Sequence, residues 1–210
     1  MSNVSRVNGF RPVKHINGSP YNGQCNIYEC PAGEAVPVFI GDFVNLSNSD
    51  ATAGYPAVEA QVDAADADLN IVGCVVGIIN GKLDPDGLMS TGSISLDTPV
   101  YRVASTKTFV LVADSPDLIF EGMADGAVAV ASVGLNAKLV CGSGSASTGS
   151  TTTGASGMQM ETAGIATTST FPLQLVGIVK RIDNEANAVG NRVLVRINTH
   201  AYGSAGVTSA

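Results

Sequence analysis

The feature that most constrains the fold is a series of short runs rich in valine and isoleucine, separated by glycine, proline and asparagine. The clearest is IVGCVVGII at residues 71–79, nine residues without a charge. A run of this length between turn-forming residues is typical of a strand buried on both faces. It is too short for a membrane-spanning helix, which needs about 20 apolar residues. The chain is therefore expected to build β-structure around buried strands.

Further runs predict further strands. They lie at residues 36–46, 99–105, 108–114, 117–124, 173–182 and 192–198. The last two flank the polar stretch DNEANAVGN and predict a hairpin with a long loop. Residues 80–87, NGKLDPDG, contain three turn dipeptides and predict a loop. Residues 127–140 are ambiguous, because their alanine content permits a short helix before Gly134.

These signals predict an all-β protein, either a compact sandwich or a small barrel of short strands. Residues 1–35 differ, since single apolar residues are scattered among prolines and Asn-Gly turns. They predict an irregular, extended N-terminal arm that lies on a partner, with an irregular lead-in packed on its own domain as the alternative. Residues 36–210 are expected to form a single β domain.

The run GSGSASTGSTTTGASG at residues 142–157 has the composition of a flexible linker. The residues after this run contain mainly one hairpin, and a lone hairpin is marginal in water. That hairpin must therefore pack on earlier strands, so the run is expected to be a long connection within one domain. The threonines of residues 150–153 favour pairing at a sheet edge.

The chain carries little charge. Charged residues make up 14% of it, against a norm of about 25%. Such a composition predicts a surface largely covered by partners, although a neutral Gly/Ser/Thr-rich surface is an alternative. The net charge is -7, and the 11 lysines and arginines do not cluster along the sequence. We therefore expect no nucleic-acid partner and no anionic membrane partner. The N-terminus lacks the apolar segment of a secretory signal, which predicts synthesis into the cytoplasm.

No catalytic motif is present. The sequence has no G-x-S-x-G elbow, no H-E-x-x-H pair and no phosphate-binding loop. The two histidines, His15 and His200, are expected at the surface or at an interface. Carboxylates that sequence alone cannot place in one cleft are Asp117, Glu121, Asp183 and Glu185. The chain is therefore predicted not to be an enzyme and to hold no cofactor.

The sequence offers only weak metal signals. Cys25 and Cys30 have zinc-like spacing, but no second Cys/His pair follows them. Free thiols are expected in a reducing compartment. Asp63, Asp66 and Asp68 supply oxygen ligands at short spacing, without the glycine and glutamate of an EF-hand. A solvated acidic loop is the expectation, and no metal is predicted.

Five segments together carry a family resemblance. They are GFRPVKHINGSPYNGQ (9–24), FIGDFV (39–44), VYRVASTKTFVLVADSPDLIFE (100–121), GLNAKLVCGSGSASTG (134–149) and LQLVGIVKRIDNEANAVGNRVLVRINTH (173–200). In this order they resemble head decoration, or cement, proteins of tailed bacteriophages. The segments are spread over most of the chain, and the ordered set rather than any one motif carries the resemblance.

The resemblance implies a structural virion protein on the outer surface of an icosahedral head, present in the host cytoplasm before assembly. It implies binding to the major capsid protein and to itself, as a homotrimer or as a dimer, so that the capsid lattice is stabilised. The alternative is another virion surface module, such as a head-fibre base or a glycan-binding adhesin domain.

Within the predicted arm, aromatic and basic residues indicate contacts with capsid or neighbouring subunits. The predicted contact residues are Phe10, Arg11, Val13, Lys14, Ile16 and Tyr21. The apolar members would be anchors, and Arg11 and Lys14 would meet acidic groups. If the arm is a tether, removing residues 1–22 leaves the β core folded.

Overall fold

The structure, a computed structural model, describes residues 3–47, 54–61, 70–79, 99–141 and 149–203. The regular elements of these residues are twelve short strands and one 3-10 turn, Val130–Ser132. The strands are β1 (Arg11–His15), β2 (Asn26–Cys30), β3 (Phe43–Leu46), β4 (Val58–Ala60), β5 (Ile71–Ile79), β6 (Thr108–Ala113), β7 (Leu118–Met123), β8 (Asn136–Ala137), β9 (Leu139–Val140), β10 (Gln159–Met160), β11 (Leu173–Ile178) and β12 (Arg192–Ile197). They form two five-stranded sheets and the pair β9–β10, so the all-β prediction is confirmed.

The first sheet has the order β1-β7-β12-β11-β8, and its neighbouring strands are antiparallel. β11 and β12 form the predicted hairpin. In β12, Val193 and Val195 are buried in the core. Because side chains alternate along a strand, Arg192, Leu194 and Arg196 lie on the opposite, outer face.

The second sheet has the order β2-β6-β5-β3-β4. Its two edge strands meet, because the backbone N–H of Glu29 in β2 donates to the carbonyl of Pro56 at 3.0 Å. Glu29 also forms a parallel bridge with Ala57, the residue before β4. The sheet therefore curls into a small, nearly closed barrel.

One hydrophobic core lies between the two sheets. Phe43 of the second sheet stacks on Phe10, with ring centroids 4.5 Å apart, and meets the edge of Phe120 of the first sheet at 5.2 Å. Gly122 is required beside these rings, since a Cβ there would lie 2.3 Å from Phe10. This contact holds the two sheets together as a sandwich.

A second core fills the other side of the curled sheet. Its members include Tyr28, Cys30, Val44, Val58, Val72, Val75, Val110 and Val112. β5 supplies residues to both cores, with Ile71 and Cys74 in the first and Val72 and Val75 in the second. The predicted burial of this strand on both faces is confirmed over residues 71–75.

A buried arginine ties loops to the barrel. Arg102 is 1% exposed and is the largest fully buried side chain of the described residues. Its guanidinium donates to the backbone carbonyls of Pro31 at 2.6 Å, Val36 at 2.5 Å and Thr106 at 2.9 Å. Residues 31–36 and 102–106 are thereby held against each other.

The N-terminal residues do not form the extended arm that the sequence predicted. Residues 11–15 are β1, paired with β7, and residues 26–30 are β2, paired along its length with β6. Between them the chain turns back, and the N–H of His15 donates to the carbonyl of Ser19 at 2.8 Å. Both strands depend on partners far along the chain, which local sequence patterns do not reveal.

One other predicted strand is absent and two are shorter than expected, one of them being residues 173–182, where β11 ends at Ile178. In residues 99–105 only Arg102 pairs, through a bridge to Val38, so this segment is not a strand. In residues 36–46 the ladder begins at Phe43, after Gly41 takes a φ of 97°. The ambiguous residues 127–140 hold the 3-10 turn and then β8 and β9.

The Gly/Ser/Thr-rich connection is described from residue 149 onward. The predicted edge pairing of residues 150–153 is wrong, because they form a turn closed by Gly154 N–H donating to the Ser150 carbonyl at 2.7 Å. The chain then bridges Ala155 to Ile40 and buries Met158 in the core. Its residues 142–148, the loop 80–87 and the acidic residues Asp63, Asp66 and Asp68 lie outside the described residues.

Candidate interaction surface

The structure separates the six predicted contact residues. Phe10 is 2% exposed and belongs to the core between the sheets. It cannot anchor a partner without leaving Phe43, so its assignment as a contact residue is corrected. The pairing of β1 with β7 leaves no local signal in the sequence, so the sequence gives no indication that Phe10 is buried.

The remaining five residues lie closer to the surface. Val13 is 37% and Ile16 is 52% exposed. Tyr21 is partly buried against the core, and its hydroxyl donates to the carbonyl of Gln24 at 2.9 Å. The surface of β1 and the turn after it therefore presents Arg11, Val13, Lys14 and Ile16, while Tyr21 lies to one side.

The outer face of the first sheet collects positive charge. β1 pairs Arg11 with Glu121 and, after a bulge, Lys14 with Ile119. β12 pairs Arg196 with the same Ile119. The basic strand residues that share this face are Arg11, Lys14, Arg192 and Arg196. The fold therefore brings together charges that do not cluster in the sequence.

Three arginines converge on one carboxylate, and we call this group the arginine cluster. Glu121 Oε1 lies 2.9 Å from Arg11 Nη2, 3.0 Å from Arg181 Nη2 and 4.0 Å from Arg192 Nη1. The Glu121 side chain is 8% exposed, whereas Arg11 is 56% and Arg181 is 43% exposed. A nearly buried acid thus holds two guanidiniums that face solvent.

The charges in the cluster do not balance. Asp183 Oδ1 lies 3.7 Å from Arg181 Nε and adds a second, exposed acid. Burial lowers the pKa of Arg192, Glu121 opposes this, and the charges of Arg11 and Arg181 lower it further. This mutual repulsion is what an excess of positive charge produces.

A second surface feature is a set of exposed aliphatic side chains, which we call the apolar ledge. Residues 3–8 run along the loop between β11 and β12, and Asn3 exchanges two hydrogen bonds with the backbone of Glu185, at 3.0 and 2.6 Å. The ledge consists of Val4, Val7, Ile182 and Val189, which are 61%, 38%, 90% and 67% exposed.

The ledge adjoins the arginine cluster. Arg192 Nη1 donates to Asn8 Oδ1 at 3.1 Å, and its Nη2 donates to the carbonyl of Arg6 at 3.0 Å. Ile182 follows Arg181 directly in the chain. The N-terminal segment and the loop that carry the ledge are therefore joined directly to arginines of the cluster.

Sequence reasoning missed half of this surface. The sequence places Arg181 and Arg192 only in a hairpin, and Ile182 only at the end of a strand. One signal was present, because Ile182 directly precedes the polar loop and Val189 is an isolated large aliphatic residue within it. Both side chains are exposed because that part of the chain packs neither of them into the core.

A cleft of about 380 Å³ lies on the other side of β1. Its lining includes His15, Tyr21, Cys25 and Asp114. The Asp114 carboxylate already accepts hydrogen bonds from Asn26 Nδ2 at 2.9 and 3.1 Å and from the Tyr28 hydroxyl at 2.6 Å. Its oxygens hold β2 against β6, so the cleft's acid has a structural role.

The two cysteines with zinc-like spacing lie in different surroundings. Cys30 is buried in the barrel, whereas Cys25 lies at the cleft. In the described ranges, no three His, Cys, Asp or Glu side chains are grouped as metal ligands. His200, expected at the surface or at an interface, is only 9% exposed, and burial lowers its pKa.

Helical structure in the described part of the chain is limited to one 3-10 turn, so no helix there could span a membrane. Comparison of the chain with protein-family models and with curated proteins finds no match.

Proposed function

We propose that this protein is a structural component of a tailed-bacteriophage head that binds the outer surface of the capsid and stabilises its lattice. The observation that carries the proposal is the apolar ledge. Ile182 is 90% exposed, and three further exposed valines lie on the same loop or on the segment that Asn3 fixes to it, in a chain with only 14% charged residues. Contiguous exposed aliphatic side chains mark protein-binding surfaces.

The resemblance of the five sequence segments to cement proteins gives the class of partner. The partners are the major capsid protein and further copies of this chain, in a homotrimer or a dimer. A protein that binds the assembled lattice and not the separated subunits stabilises the lattice by mass action. Several copies joined together gain further affinity through avidity.

The docking element differs from a detachable arm. β1 belongs to the first sheet, and Phe10 is in the core, so residues 1–22 cannot be removed without damage to the fold. The ledge instead presents short segments fixed at both ends, by Asn3 on Glu185 and by Arg192 on Asn8. A rigid surface loses less conformational entropy on binding than a free arm.

The test is co-sedimentation of the purified protein with undecorated heads of the parent phage. The Val4→Ser/Ile182→Ser double variant should bind at least about tenfold more weakly, since two exposed aliphatic anchors are lost. Val100→Ser is the matched control, because Val100 is 47% exposed and lies outside the ledge. Unchanged far-UV circular dichroism shows that each variant is folded.

Two outcomes contradict the proposal. In the first, the wild-type protein fails to sediment with heads but binds glycans on an array, which supports a glycan-binding surface module. In the second, Val100→Ser weakens head binding as much as the ledge variant does, which removes the ledge as the docking surface.

A further inference from the structure

The outer face of the first sheet concentrates positive charge in an acidic protein. Among the described residues, five of the chain's 11 lysines and arginines lie there, namely Arg11, Lys14, Arg181, Arg192 and Arg196. The whole chain has a net charge of -7. A local potential opposite in sign to the net charge favours one orientation of an approaching charged partner.

Glu121 positions these groups without neutralising them. One of its oxygens lies within 4.0 Å of three guanidiniums, which leaves an excess of two positive charges, or one when Asp183 is counted. Each guanidinium has five N–H donors in a fixed plane. Within the described part of the chain, most donors of Arg11 and Arg181 have no protein acceptor.

We propose that the arginine cluster is a binding site for an Asp or Glu side chain of the partner protein, received between Arg11 and Arg181. Both guanidiniums are roughly half exposed, and each is held at one Nη2 by Glu121. Guanidinium and carboxylate groups match in geometry and form bidentate pairs. The pre-set position of each fork reduces the entropy lost on binding.

The charge distribution favours a protein carboxylate over a nucleic acid. Nucleic-acid affinity comes from phosphate contacts spread along the backbone, which a basic stripe provides, whereas the half-exposed arginines that Glu121 holds, Arg11 and Arg181, form one compact pair. A single acidic side chain on a protein loop meets only the local positive charge, because the Debye length is about 8 Å at physiological salt.

The inference rests on the proposed function only for the identity of the partner. The apolar ledge supplies the buried area, and the adjacent cluster fixes the orientation of the partner by one charged contact. The two can fail separately, because carboxylate binding can be measured without phage heads.

The experiment titrates the full chain with poly-L-glutamate and follows the side-chain Nε–H signals of the arginines by NMR. Arg11 and Arg181 signals should shift at low salt, and about 1 M salt should abolish the shifts. Arg11→Gln and Arg181→Gln should each weaken binding about tenfold, since each removes one fork. Lys138→Gln is the control, because it removes one positive charge that lies over the Phe171 ring. It should change polyglutamate binding less than about twofold.

A charge-matched DNA oligonucleotide is the comparison probe. If it binds more tightly than polyglutamate and loses affinity with the same variants, the site is a nucleic-acid site and the proposal is overturned. Equal weakening by Lys138→Gln also overturns it, since the attraction is then spread over the surface.

Co-sedimentation with heads separates the two proposals. If polyglutamate binds at the cluster but heads do not bind, the carboxylate site stands and the capsid function fails. If heads bind and polyglutamate does not, the capsid function stands and the carboxylate site fails.

Discussion

The protein has two arginine sites of opposite kinds. Arg102 is 1% exposed, and three backbone carbonyls accept its hydrogen bonds. In the arginine cluster, Arg11 and Arg181 share one carboxylate oxygen and remain 56% and 43% exposed. One site has acceptors for its donors within the fold, and the other has more donors than acceptors.

This difference in hydrogen bonding distinguishes an arginine that stabilises the fold from arginines that are available to bind a partner. Burial lowers the pKa of Arg102, while the neighbouring Cys30 and Glu34 raise it, so the local groups act to keep the guanidinium charged. Such a group is retained because its donors satisfy buried carbonyls. An exposed excess of one sign contributes little to stability and is available to a partner. Removing an arginine at each of the two sites should therefore affect different measurements.

The largest effect on stability is expected at Arg102. Arg102→Met should lower the free energy of unfolding by about 3 kcal/mol, because three carbonyl groups lose their donor in a buried site. Arg102→Lys should lose a similar amount, since one ammonium cannot reproduce the planar fork. Urea unfolding followed by circular dichroism measures both.

Lys138→Gln is the control and should stay within about 0.5 kcal/mol of wild type. The contrast between the sites also predicts that both Arg102 variants bind polyglutamate as wild type does. A loss of less than about 1 kcal/mol in Arg102→Met would contradict its structural role.

The sequence predicted the elements with a strong local pattern. β5 is a nine-residue apolar run, and β11 and β12 flank a polar loop, so composition and turn signals suffice for them. β1 and β2 have no such pattern, and they are strands because β7 and β6 provide their hydrogen-bond partners. Tertiary pairing overrides weak local propensity in these two strands.

The candidate surface was predictable only in part. Arg11 and Lys14 were identified from their basic character, and both lie on the outer face. Arg181 could not be linked to Glu121, because 60 residues separate them and a β-bulge in β11 shifts the pairing. A charge cluster that is formed by the register of paired strands can be predicted only when the order of the strands in the sheet is known.

An intermediate effect on stability is expected at Glu121, because removing its negative charge increases the excess positive charge of the arginine cluster. Glu121→Gln should lower the free energy of unfolding by about 2 kcal/mol at low salt, because three guanidiniums then repel one another without a counter-charge. Raising the salt to about 1 M should recover much of this loss, since screening acts on half-exposed charges. Urea unfolding at both salt concentrations tests this.

The Arg102→Met loss should stay nearly constant between the same two salt concentrations, because a buried site is screened much less. If salt does not change the Glu121→Gln loss, the cluster is not held under repulsion, and the contrast between the two arginine sites disappears.

The smallest effect is expected at a pair of carboxyl groups, where the clustered like charges are negative and not positive. Glu59 of β4 lies beside Glu34, whose Oε1 accepts a hydrogen bond from Ser47 Oγ at 2.5 Å. Burial, followed by the hydrogen bond to Glu34 and repulsion from it, raises the pKa of Glu59 from 4.5 to about 7. Glu59 can bind a proton, which removes the repulsion between the two carboxylates. The arginine cluster has no such route, because a guanidinium stays protonated.

A raised folded-state pKa fixes the direction of the pH dependence. Below pH 4.5 the folded and unfolded states both hold the proton, and the full stability is present. As the pH rises from 4.5 to about 7, only the folded state keeps the proton, so stability falls and then levels off. Because Glu59 is half-buried and partly screened, the loss should be about 1 kcal/mol.

Glu59→Gln keeps a neutral side chain at every pH and should remove this slope. It should match wild type near pH 5 and be more stable by about 1 kcal/mol at pH 8, as measured by urea unfolding. Polyglutamate binding should be unchanged, because Glu59 lies in the second sheet and the arginine cluster lies on the first. A variant that keeps the wild-type slope between pH 5 and pH 7 would show that Glu59 ionises normally. The pH slope would then come from another titrating group, and the carboxyl pair would no longer contrast with the arginine cluster.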